Sequence, residues 1–164
     1  MQIESTRLGT FEIDKDRIIS FPQGIPGFLE EKQFVLIPMG EDNPFFFLHS
    51  VTNKDLSFIV IEPHIFFRDY ELMLSEELIE SLSINKPEDV AIYTIVTIKD
   101  DLKQATTNLQ APIVVNAVSL VAKQYILNDG QYQTRQLLFP QKSNTDEVAV
   151  TNEASMSGSG AKEE

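Results

Sequence analysis

Cysteine is absent from the 164-residue chain, which excludes disulfides, a thiolate nucleophile and Cys-ligated zinc. Tryptophan is absent too, and 11 Phe against 4 Tyr supply the aromatic side chains. Basic residues are scarce. Against 25 Asp and Glu stand 13 Lys and Arg, a formal net charge of -12. A protein that neutralises phosphates needs a Lys/Arg face, and no segment supplies one, so direct nucleic-acid binding is not expected. Acidity of this size favours solubility and attracts basic partners. Long apolar runs are missing as well: "FFFL" and "FIVI" fall far short of the roughly 20 residues that cross a bilayer. The N-terminus, "MQIESTRLGTFEI", has neither the basic nor the apolar region of a signal peptide. These absences predict a cytoplasmic domain with no membrane partner.

Mostly β signals fill the chain before Pro140. "QFVLIPM", "FFFLHSV", "LSFIVIEP", "DVAIYTIVTIK" and "APIVVNAV" are short runs rich in Val, Ile and Phe, separated by turn-type clusters such as "GEDNP" and "NKPED". In "AIYTIVTIK" one face carries Ile92, Thr94, Val96 and Ile98, and the other carries Tyr93, Ile95 and Thr97. Two largely apolar faces predict a central strand buried on both sides. "RIISF" alternates in the same way. "AKQYIL" reads as a further strand, with "NDGQY" as a hairpin turn before "QTRQLLFP". A single short helix is predicted at "SEELIESL", with Ser75 as N-cap, Glu76 and Glu77 in the first turn, and an apolar stripe of Leu78, Ile79 and Leu82. The fold class expected is all-β, mainly antiparallel: a small β-barrel-like domain over residues 1–140. Residues 141–164 contain no Phe, Leu or Ile and are expected to be a disordered acidic tail. Their five acids and two bases carry -3 of the -12, which leaves -9 on the domain.

A search for chemistry finds little. Of the two histidines, His64 lies near Glu62 in "EPH", but two donors on one strand face fall short of the three or four that zinc requires. His49 reads as a strand-end residue with a satisfied ring. No GxSxG, GxGxxG or P-loop pattern exists. Carboxylate pairs such as Glu30-Glu31, Glu76-Glu77 and Asp100-Asp101 follow from composition and read as solvated surface. No catalytic, cofactor-binding or metal residue is nominated, and the chain is not expected to be an enzyme.

Two uncharged stretches remain. In "FPQGIPGF", Pro26-Gly27 is the pair a type II turn wants, Pro22 and Gly24 make a bend before it, and Phe21 and Phe28 bracket the loop. "NLQAPIVVN" places five apolar residues, Ala111 to Val115, between amides. Pro112 cannot donate to a ladder and marks a strand start or an edge. The stretch is either a buried strand whose amides satisfy neighbouring backbone, or an edge or cleft that accepts another chain.

"NLQAPIVVN" followed by "AKQYIL", with "FPQGIPGF" and then "FVLIP" near the N-terminus, resembles the flagellar assembly factor FliW family over roughly residues 1–140. The resemblance implies a non-enzymatic β-barrel that binds flagellin before export. It also implies binding and antagonism of the translational repressor CsrA, so that flagellin translation follows flagellin secretion. No family motif marks which face meets which partner. The residues nominated for partner binding are Asn108, Leu109, Gln110, Ala111 and Pro112, with the loop at Pro26, Gly27 and Phe28. The alternatives from other classes are a small β-barrel hydrolase or ligand-binding protein with a polar cavity near His49 or His64, and a self-assembling structural protein.

Overall fold

Strands that are apolar on both faces need cover on both sides, and the computed structural model shows how the chain supplies it. The structure describes residues 1–128 and 130–139. The expected boundary at Pro140 and the expected disorder of residues 141–164 lie outside the described residues.

Eleven strands are described: β1 (Gln2–Ser5), β2 (Gly9–Glu12), β3 (Ile19–Ser20), β4 (Gln33–Pro38), β5 (Phe45–Ser50), β6 (Ser57–Ile61), β7 (Val90–Thr97), β8 (Thr106–Thr107), β9 (Ile113–Asn116), β10 (Val121–Gln124) and β11 (Gln136–Leu137). Two short helices, α1 (Pro63–Phe66) and α2 (Glu76–Ser81), lie between β6 and β7. Strands pair in the order β7-β6-β5-β4-β3-β10-β9, and β9 pairs with β7 to close the ring. Every pairing in the ring is antiparallel except β10 with β3, so the mainly antiparallel barrel is as expected. Closure removes the exposed edges that an open sheet would present.

The eight-residue β7 is the keystone. On one edge it pairs with β6. On the other it pairs first with β9, over Val90–Tyr93, and then with β8, over Val96–Thr97. Its Tyr93 and Ile95 point into the barrel with Phe34, Leu48, Val60, Ile113 and Val115. Val90 and Ile92 point outward with Val114, under Leu78 of α2 and Leu82 at its C-terminal cap, while Val96 joins Phe45, Ile61 and Leu138 in a third cluster. This is the two-sided strand expected, although it ends at Thr97 and leaves Ile98 exposed.

The predicted α2 forms as read. Ser75 Oγ accepts the Leu78 amide at 3.1 Å, which satisfies one orphan donor of the first turn. The helix stops in a Schellman turn: Ser83 has φ +54°, and its N–H and that of Ile84 bond the Glu80 and Ile79 carbonyls.

Three local expectations are corrected. The described residues form two helices, because Pro63 is pre-organised for a first helical turn and opens α1 immediately after β6. His64 therefore lies on a helix and not on a strand with Glu62. "NDGQY" does not close a hairpin: both edges of β10 are taken, by β9 and β3, so β11 pairs instead with β8. "RIISF" reduces to two strand residues, because Asp14 caps a 3-10 turn at Lys15–Arg17.

Candidate functional site

The stretch Asn108–Pro112 is where the chain leaves β8 and re-enters as β9 along the same edge of β7. Such a hand-over exposes backbone polar groups that must find partners in the interior. Asn108 donates its amide to the Ile95 carbonyl, and its Oδ1 accepts the Gln110 and Ala111 amides, both at 3.1 Å. Leu109 donates to the Gln133 carbonyl and accepts the Tyr70 hydroxyl at 2.6 Å. The carbonyls of Gln110, Ala111 and Pro112 accept from the Leu127 amide, the Gln124 side chain and the Tyr125 amide. Leu109, Ala111 and Pro112 are buried, and only Asn108 and Gln110 keep part of their surface in water. The stretch is uncharged because a buried unpaired charge is strongly unfavourable. At its end, Asn116 is 3 % exposed and donates to the Leu82 and Ser83 carbonyls, which ties α2 to the barrel.

The loop from Phe21 to Glu31 does the opposite. Its ends are fixed: Phe21 is fully buried, edge-on to Phe34 at 5.3 Å. Gly24 has φ +70°, and a Cβ there would lie 2.5 Å from the Leu29 carbonyl oxygen, so only glycine fits. Phe28 donates its amide to the Ile25 carbonyl at 2.7 Å across Pro26-Gly27, with Gly27 at φ +91°, which is the type II turn predicted. Pro26, Gly27 and Phe28 are exposed. One side of the Phe28 ring rests edge-on against Phe58 at 5.5 Å, yet the residue remains 42 % accessible and Leu29 beside it 61 %. An open depression of about 410 Å³ lies along Gly27, Phe28, Leu29, Glu30 and Glu31. The structure thus leaves the two nominated groups apart in character: one is barrel framework and the other is surface. Leu29 and Glu31 were not singled out as partner-binding. The available signal was an apolar residue inside a turn-rich loop.

Neither histidine stands in these regions. His49 is 1 % exposed on β5, beneath the Phe11 ring at 6.2 Å. Its Nδ1 donates to the Ser50 carbonyl at 2.7 Å, whereas its Nε2 has no described partner, so the ring is only half satisfied. His64 donates Nε2 to the Tyr70 carbonyl at 2.9 Å. Among the described residues no group of three or more His, Asp or Glu is placed to hold a metal ion. Inside the barrel, burial first and the Glu62 carboxylate second hold the Tyr93 phenol above its ordinary range, so it stays neutral near pH 7.

Carboxylates dominate the exterior. Among the described residues one ion pair is seen, from the Met1 amine to Glu12 at 3.3 Å, so most of the negative charge is solvated and not neutralised internally. No described helix is long and apolar enough to cross a membrane.

A closed barrel filled with side chains, carrying a turn-rich apolar loop on an acidic exterior, defines a small β-barrel protein whose distinctive surface faces outward. Comparison with known proteins then places it. The family model for FliW protein matches residues 2–138, and the chain belongs to the FliW family. It is 48 % identical over 142 residues to the flagellar assembly factor FliW of Geobacillus kaustophilus (strain HTA426), covering 87 % of this chain and 98 % of that one. To the flagellar assembly factor FliW of Bacillus subtilis (strain 168) it is 47 % identical over 135 residues, covering 82 % and 94 %. A crystal structure of the flagellar assembly factor FliW superposes with a TM-score of 0.82 at 44 % identity, covering 87 % of this chain and all of that one.

Proposed function

We propose that this protein works in the cytoplasm as a flagellar assembly factor that binds flagellin, and that it also binds and antagonises the translational repressor CsrA. It acts by holding proteins and not by catalysis, and it contacts no nucleic acid directly. Accumulated flagellin occupies it and leaves the repressor free. As flagellin is exported, the freed protein captures the repressor, and flagellin translation resumes.

The observation that carries this reading is family membership along the whole described barrel, from residue 2 to residue 138. The surface agrees with it: a pre-ordered loop offers Phe28 and Leu29 to solvent, and the exterior is anionic where an RNA-binding partner must be cationic. The test is a competition. The purified chain is incubated with CsrA and passed over a sizing column, then titrated with flagellin. Co-elution with each partner, and release of CsrA as flagellin is added, are expected. Failure to retain either protein at micromolar concentration overturns the reading. Retention of both together in one stable complex overturns the competition.

A further inference from the structure

Two large apolar side chains side by side on an exposed loop are unusual on an acidic surface, and this pair is held ready. Three successive turns, closed by the amides of Gly24, Phe28 and Glu31 on the carbonyls of Phe21, Ile25 and Phe28, leave the loop little freedom to lose on binding. The depression beside Leu29 ends at Glu31, and Glu31 also borders a second depression of about 670 Å³ that carries Glu4 and Asp55 against one cation, Lys54. The Glu31 carboxylate is fixed by neutral donors: the Ser50 hydroxyl at 3.0 Å and the Thr52 hydroxyl at 3.2 Å, with the Asn53 amide at 3.5 Å. Its sequence neighbour Lys32 does not neutralise it, because Lys32 gives its ammonium to the Pro22 carbonyl at 3.0 Å. The anion is therefore positioned at low entropic expense, and its charge remains available to an outside cation.

We infer that the Phe28–Leu29 loop is the docking surface for a basic protein segment, which sets an apolar side chain against Leu29 and a Lys or Arg on Glu31. Charge complementarity selects this occupant: Glu30 and Glu31 line the depression along the apolar pair, and Glu4 and Asp55 line the second one that meets it at Glu31, so an acidic segment would be repelled. The inference rests on the reading proposed above. Of its two partners, the repressor is the one that must carry cations, since it binds RNA.

Calorimetric titration of purified CsrA into the wild-type chain and three variants tests it, with flagellin as a second probe. Leu29→Ser and Glu31→Gln should each weaken CsrA binding about tenfold, the loss expected for a charge-assisted hydrogen bond or a buried apolar anchor. Glu31→Gln keeps an oxygen for the Ser50 and Thr52 hydroxyls, and unchanged melting curves confirm that the fold is intact. Glu80→Gln, which removes an exposed charge from α2, should change affinity by less than about twofold. Equal losses in Glu31→Gln and Glu80→Gln overturn the inference in favour of a diffuse field. Wild-type affinity in both Leu29→Ser and Glu31→Gln overturns it outright. A loss confined to flagellin overturns the choice of a basic occupant. A wild-type chain that binds neither protein is seen before any variant is made, and it overturns the proposed function instead.

Discussion

At Asn108–Pro112 the chain turns inward, and the backbone there is bonded to β7, to the segment that follows β10, to a tyrosine hydroxyl and to a glutamine side chain. At Pro26–Leu29 the chain turns outward, and its backbone closes on itself through the Ile25–Phe28 turn. Both stretches are short, uncharged and built around a proline. The difference lies in who satisfies the polar groups. A stretch that depends on distant partners is fixed in the interior, and its side chains are chosen for packing. A stretch that satisfies itself locally is free to carry side chains chosen for something else. Absence of charge therefore has two meanings in this molecule: exclusion of water in one place and an offer of apolar contact in the other.

Introducing a charge is the sharpest way to break the comparison. Val114→Asp places an unpaired carboxylate where exposure is 0 %, and it should cost about 4–5 kcal/mol or more, enough to abolish a cooperative melt. Leu29→Asp, at a residue 61 % exposed, should stay within about 0.5 kcal/mol of wild type by chemical denaturation. Similar losses at the two sites would erase the distinction.

Removing one distant partner comes next. Tyr70→Phe deletes the hydroxyl that serves the buried Leu109 carbonyl and should destabilise by about 1–3 kcal/mol, read as a lower urea midpoint at unchanged slope. Gln110→Ala trims a half-buried side chain while the backbone bonds persist, so its melt should differ by less than about 0.5 kcal/mol. If Gln110 belongs to a partner face, as its nomination from the sequence expects, that variant weakens one of the two partners. Normal binding of both removes it from the site.

Two smaller effects bound the rest. Deleting residues 141–164, which hold no Phe, Leu or Ile, should move the melting midpoint by no more than a few degrees, and a large drop would redraw the domain boundary. Tyr93 extends the contrast to the barrel interior. Its phenol is raised above the ordinary 10.0, so the folded state holds that proton more tightly than the unfolded chain does. The associated stability is complete below pH 10.0 and is lost as pH rises through the folded value. Tyr93→Phe should therefore lose less stability than wild type above that pH and match its pH dependence near pH 7. Identical alkaline profiles would show that the phenol titrates as if in water.

Much of this was legible from local pattern. The two-faced β7, the Ser75 cap, the Pro26-Gly27 turn and the strand start after Pro112 each depend on residues within a few positions of one another, so periodicity and turn chemistry reveal them. The α1 helix escaped because four residues are too few to show a period. The hairpin expected at "NDGQY" failed for a different reason: its turn residues suit a hairpin, but β10 had no edge left to pair.

By itself the sequence determined the β-rich class, the acidic exterior, the short helix at Ser75 and the resemblance to the FliW family. These depend on composition and on neighbours in the chain. The tertiary structure alone decided that β9 closes the ring on β7 and that Asn108–Pro112 is framework while Phe28 and Leu29 are surface. It also decided that Glu31 is held by Ser50 and Thr52, nineteen and more residues away. The physical reason is that burial and hydrogen-bond satisfaction are set by residues far apart in sequence. An amide or an apolar side chain has the same local signature whether water or another strand comes to meet it.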